Sequence, residues 1–113
     1  MDFMKSEPAE EHCQPCEKKP APLKGGALRQ LRAGLGDGWK LVDEHHLEKE
    51  YTFKNFREAL DFTNRVGEIA EQENHHPDIF LSWGKVGLKL WTHSAGGLSE
   101  NDFILAARAD AAR

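Results

Sequence analysis

Six histidines stand in a chain of 113 residues, at His12, His45, His46, His75, His76 and His93. Imidazole has an unperturbed pKa of about 6.5, so near neutral pH it can both give and take a proton. The useful question is which of the six can share a site. His75 and His76 are adjacent and directly precede Pro77. Neighbouring side chains on extended backbone point to opposite sides. The pair can therefore grip one ligand from two angles or do two separate jobs. By itself a His-His-Pro junction is more often ordinary loop chemistry. A functional reading needs a frame that holds the junction in place and brings His93 to it.

The sequence supplies such a frame. Leu28, Leu31 and Leu35 recur at helical spacing, and Gly34, Gly36 and Gly38 end that first helix. Trp39 to Val42 reads as a strand, and Tyr51 and Phe53 alternate with polar residues as in a second strand. Asp43 to His46 is the expected turn between them, which makes His45 and His46 solvent-exposed turn residues. Asn55 is a good N-cap with Glu58 in the box position, and Phe56, Ala59, Leu60, Val66, Ile69 and Ala70 form one stripe over Phe56 to Glu73. Asp61 and Arg65 add i,i+4 support. Pro77 keeps the helix from running on. Ile79 to Trp83 and the alternating Val86, Leu88 and Leu90 read as a third and fourth strand around Gly84, with His93 ending the fourth. Trp83 and Trp91 are by default aromatics of the sheet surface or core. Ser99, with Asp102 three residues on, caps a last helix.

The order α-β-β-α-β-β-α, with hairpins joining the strands, implies an α+β fold. We expect two layers, a four-stranded antiparallel sheet with three helices packed on one face. Paired strands keep similar distances from their turn, so a hairpin closed near Gly84 carries His93 back toward His75 and His76. The three imidazoles are expected at one end of the sheet.

Composition narrows the function classes. The net charge is −4 with acids and bases interspersed, which disfavours the basic stripe of a nucleic-acid binder. No stretch approaches the ~20 apolar residues of a membrane span. Residues 1–22 hold four of the five prolines and read as a poorly ordered arm, with residues 23–113 as the folded domain. The arm lacks the apolar core of a signal peptide, so a cytoplasmic protein is expected. It carries Cys13 and Cys16, a CxxC beside His12; zinc normally takes four ligands and no second cysteine pair exists.

The stretch from Glu71 to Asp102 resembles the signature of the pterin-4a-carbinolamine dehydratase family. Glu71, His75, His76, Pro77, Trp83, His93 and Asp102 fall at that family's spacing, and Thr92-His93 through Gly97-Leu98-Ser99 to Asp102 is similar to a second family segment. The likeness covers about residues 24 to 110. It implies dehydration of 4a-hydroxytetrahydropterin, the product an aromatic amino acid hydroxylase leaves, to quinonoid dihydropterin and water. It implies His75 and His93 as general acid and base and His76 as a catalytic residue that mainly holds the pterin. Trp39, Pro77 and Trp83 would contact substrate, and Glu71 and Asp102 would orient the histidines. No metal or cofactor is needed. Two departures stand out: Asn74, where some members carry aspartate, and Ile79, where many have a large aromatic.

Two other readings compete. One is a protein-binding dimerisation cofactor with weak or lost catalysis, which would show an exposed apolar stripe on the second helix. The other is a metal-binding protein using the histidines and the CxxC. A sheet this small leaves edges to protect, so a homo-oligomer, dimer or tetramer, is also expected.

Overall fold

A computed structural model of the chain describes residues 21–113. The CxxC at Cys13 and Cys16 lies outside the described residues. In chain order the elements are α1 (Gly25–Ala33), β1 (Lys40–Val42), β2 (His46–Thr52), α2 (Phe56–Glu73), β3 (Asp78–Ser82), β4 (Lys85–Leu90) and α3 (Glu100–Ala112), with one 3₁₀ turn at His93–Ala95. This is the α+β order expected. The four strands form one antiparallel sheet in the order β1-β2-β4-β3.

The two central strands make one apolar face. Leu47 and Tyr51 of β2 lie beside Leu90 and Val86 of β4, and Ile79 and Leu81 of β3 continue the face. The helices supply Leu28, Ala59, Phe62, Val66, Phe103, Leu105 and Ala106 to the same core. A one-residue slip in β4 would turn Val86, Leu88 and Leu90 to water, at about 1.5–3 kcal/mol each. Burial thus sets the register. The other face carries Lys40, Glu48, Glu50, Lys85 and Lys89, together with Phe80, which is 67% exposed.

Local signals explain α2. The Asn55 side chain accepts a hydrogen bond from the Glu58 amide at 2.8 Å, satisfying one donor that the first turn leaves over. At the other end Asn74 sits in the left-handed region, φ 53°, and the His75 amide reaches back to the Ala70 carbonyl at 3.2 Å. Asparagine tolerates that conformation better than most residues, so Asn74 has a backbone reason to stand there. Arg65 does not support the helix through Asp61; its Nε–H goes to the Ala112 carbonyl at 2.8 Å.

Two expectations need correction. Strand β2 starts at His46, several residues before the alternation of Tyr51 and Phe53 suggests, so His46 belongs to the sheet rather than to a turn. The hairpin is closed by Asp43 and Glu44, both at positive φ, with the His45 amide bonded to the Val42 carbonyl at 2.8 Å. Asp suits the first position of such a tight turn, but the second normally takes Gly rather than Glu, so the expected turn is placed correctly and made too long. The fourth strand also ends early, at Leu90, and His93 opens the 3₁₀ turn. Near the arm, Pro22 lies against Gly97, and the Leu23 amide donates to the Leu98 carbonyl at 2.9 Å.

Helix α3 is buried over Asn101–Ala106 without interruption, so its apolar pattern cannot fix its rotation. Asp110 contributes that. Its carboxylate accepts from the Trp39 Nε1–H at 3.0 Å, the Lys49 ammonium at 2.8 Å and the Tyr51 hydroxyl. Burial, and then the bond and charge of Asp110, push the Tyr51 phenol well above its ordinary value, opposed weakly by Arg113. The sign follows from linkage. The folded state keeps this proton where the unfolded chain releases it, so stability holds below the unfolded tyrosine pKa of about 10 and falls as pH rises beyond it. Urea melts of the parent should lose stability from pH 9 to about 11, and Tyr51→Phe should flatten that slope. Equal slopes for the two proteins would show that Tyr51 does not carry the effect.

Candidate active site

Asp102 is fully buried, with none of its surface exposed, at the third position of α3. A buried carboxylate is tolerable only if its oxygens are satisfied. Here three donors reach it. The Ser99 amide donates to Oδ2 at 2.9 Å, the Thr92 hydroxyl donates to Oδ2 at 2.7 Å, and His75 Nε2 lies 2.6 Å from Oδ1. The Thr92 hydroxyl spends its hydrogen on Asp102, so the Ser99 hydroxyl, 2.7 Å from Thr92 Oγ1, must donate in its turn. One carboxylate thereby joins the end of α2, the end of β4 and the start of α3.

The bond to the Asp102 carboxylate fixes a hydrogen on Nε2 of His75. The His75 side chain is 13% exposed. His76 turns the other way, as the extended backbone requires. Its Nε2 meets Glu71 Oε2 at 2.5 Å on the open surface. A shallow cleft there is lined by Thr63, Gly67, Glu71, His76, Pro77 and Ile79. His93 directly follows Thr92, so Asp102 ties it to His75 through one backbone step. Its exposed ring rests on Trp91, with centroids 4.0 Å apart and planes 30° apart.

The expected site residues divide in two. His75 meets Asp102, His76 meets Glu71, Pro77 shares the cleft with His76, and His93 is linked through Thr92. Trp39 and Trp83 are not brought to the histidines. Trp39 is 1% exposed inside the core, with its N–H held by Asp110, so it presents no face to a ligand. Trp83 is 68% exposed at the hairpin end of β3, seven residues beyond His76. At ~3.3 Å per residue that separation is roughly 20 Å.

Sequence reasoning missed several neighbours. Thr92 is buried because it serves Asp102; only its place beside His93 hinted at this. His45 and His46 are half-buried rather than solvent-exposed turn residues. Their Nδ1 atoms are 3.0 Å apart, His46 Nε2 lies 2.8 Å from Glu48, and the His45 ring packs 4.6 Å from Trp91. Among the described residues, no three His, Cys, Asp or Glu side chains are placed to hold a metal ion. No helix among them is long and apolar enough to cross a membrane.

Comparison with known proteins identifies relatives of the chain. The family model described as pterin 4 alpha carbinolamine dehydratase matches residues 21–112. A protein of Rubrobacter xylanophilus is 53% identical over 105 residues, covering 93% of this chain and 97% of its own length. One of Alkaliphilus metalliredigens is 49% identical over 102 residues, covering 90% and 92%. Both bear the name pterin-4-alpha-carbinolamine dehydratase as a provisional assignment. A crystal structure of a transcriptional coactivator/pterin dehydratase from Brucella melitensis superimposes with a TM-score of 0.75 at 31% identity, covering 80% of this chain and 96% of that one. A pterin dehydratase-like RuBisCO assembly factor shares the fold, with a TM-score of 0.58 at 22% identity over 66% of this chain and 88% of its own.

The Asp102 clamp makes a checkable claim. Asp102→Asn keeps an oxygen for the Ser99 and Thr92 donors but turns its N–H₂ toward His75 Nε2, which must change tautomer to accept it, and should cost about 1–3 kcal/mol in urea unfolding. A variant as stable as the parent would show that the three bonds do not hold these elements together.

Proposed function

The chain belongs to the pterin 4 alpha carbinolamine dehydratase family, and on that premise we propose that it dehydrates a 4a-hydroxytetrahydropterin to the quinonoid dihydropterin and water. The observation that carries this reading is the His75–Asp102 bond. A fully buried carboxylate holds one imidazole in a single tautomer, at the end of the sheet where His93 also lies.

The reaction breaks one C–O bond and needs two proton transfers. An imidazolium gives a proton to the departing hydroxyl, which leaves as water. A neutral imidazole takes the proton from a ring nitrogen, whose electron pair closes the new C=N bond. His75 and His93 fill these two roles, and exchange with water resets them. Asp102 holds the His75 ring in one orientation through its bond to Nε2. His76, paired with Glu71 beside the cleft, holds the pterin. The source of the substrate is an enzyme that hydroxylates an aromatic amino acid with tetrahydropterin. A general acid or base contributes about 10²–10⁴-fold.

A protein-binding role with weak or lost catalysis is the second reading. Its support is Phe80 and Trp83, two large apolar side chains more than 60% exposed. The helix α2 shows no corresponding stripe; its one large exposed apolar residue is Phe56, at its first position. Both readings accommodate a homo-oligomer, because β3 is an edge strand with unpaired backbone on one side. Sedimentation should find a dimer or tetramer, and a pure monomer at micromolar concentration would refute that assembly.

The deciding assay follows loss of water from freshly generated 4a-hydroxytetrahydropterin by absorbance. The parent should accelerate it, and His75→Ala and His93→Ala should each lower kcat by about 100-fold or more while remaining folded. His76→Ala should raise KM more than it lowers kcat. A parent that matches the uncatalysed rate would refute the dehydratase reading and favour a protein partner.

A further inference from the structure

The three proposed site histidines are not oriented in the same way. His75 is held by Asp102 and His76 by Glu71, each through Nε2. His93 instead lays its ring against Trp91. Trp91 is itself packed by the ring of His45, at 4.6 Å and 41°. Behind His45 stands His46, with the two Nδ1 atoms 3.0 Å apart, and behind His46 stands Glu48, 2.8 Å from Nε2. Glu48 is therefore the third carboxylate of the set, and it reaches its histidine through a chain of three rings.

Proton accounting shows that this chain is ordered. Glu48 accepts from Nε2–H of His46, which fixes that hydrogen. With that hydrogen on Nε2, the Nδ1 of a neutral His46 has none and accepts from Nδ1–H of His45, because two N–H groups cannot face each other at that distance. The His45 ring is thus held in one plane by a bond at Nδ1 while its face supports Trp91. The His46 side chain is only 12% exposed, so water competes little for the middle link. The charged groups around the chain come from every neighbouring element. Lys40 of β1 and Lys89 of β4 are the cross-strand neighbours of Glu48, and Asp43 and Glu44 form the adjoining turn.

We propose that His45 is a positioning residue for His93: anchored through His46 to Glu48, it buttresses Trp91 and so fixes the imidazole that works opposite His75. The inference rests on the dehydratase reading, and it adds residues 45, 46 and 48 to the machinery. Holding a reacting group in its productive orientation is a large part of enzymatic rate, and small misplacements are costly.

The test uses the full chain and compares the parent with His45→Ala and Glu48→Gln, the second being a mild change at a half-exposed side chain. For each, kcat, KM and the pH profile of dehydration are measured, and the His93 ring is followed by nitrogen-15 NMR. His45→Ala should lower kcat by roughly tenfold, with KM within about twofold of the parent. It should also displace the limb of the pH profile that His93→Ala abolishes, and shift the His93 ring signals. Glu48→Gln should move all three readouts the same way by less. If the parent is active while both variants keep its kcat, pH profile and His93 signals, the positioning role is overturned and the dehydratase reading stands. If the parent itself is inactive, the dehydratase reading falls and takes the positioning role with it.

Discussion

The Asp102 carboxylate is the point at which three otherwise separate chain segments are forced to agree. Its place near the start of α3 lets it take the Ser99 amide. Its burial obliges it to collect further donors, and the two it finds are Thr92, just past β4, and His75, just past α2. Moving any of the three would leave a buried charge short of a partner. The site is thus rigid for the reason that the fold is rigid there: one desolvated group has three claims on its oxygens.

The same helix carries a second carboxylate of this kind. Asp110 lies eight residues further on, about 12 Å along the axis, and gathers Trp39, Lys49 and Tyr51 from β2 and the segment before β1. A helix buried on all sides over Asn101–Ala106 receives no orientation from amphipathicity. Two directional contacts, one near each end, provide it. Asp102 sets the helix against α2 and β4, and Asp110 sets it against the β1–β2 side. The first meets an imidazole, and the second an indole, an ammonium and a phenol.

The sheet separates its packed face from the segments that carry the histidines in a similar way. Its covered face is filled by Leu47, Tyr51, Val86, Leu88 and Leu90. The chain ends that leave the sheet at Leu90 and enter it at Asp78 carry His93 and the His75–His76 pair. Because Asp78 pairs with Lys89, these departures lie at one end, and the Trp83 turn lies at the other. The antiparallel hairpin therefore both brings the histidines together and removes Trp83 from them.

Much of this was legible in the sequence, where the governing physics is local. Apolar periodicity, the Asn55 and Ser99 caps and the stop before Pro77 specified α2, α3 and the order of elements along the chain, and hairpin symmetry carried His93 back toward His75 and His76; the order of strands in the sheet, β1-β2-β4-β3, came only with the fold. The turn itself is legible from Asp43, but its length is not, because Glu44 stands at a positive φ that normally selects Gly, and the start of β2 at His46 is hidden with it. Contacts between residues far apart in the chain were decided by the tertiary structure alone. Trp39 reads as a pocket residue by likeness, yet Asp110, 71 positions away, holds it in the core. His45 and His46 read as turn residues, yet β2 begins early enough to turn one onto Glu48 and the other onto Trp91. A sequence states which backbone shapes its neighbouring residues prefer; which side chains then meet depends on how those shapes pack, and only the folded chain settles that.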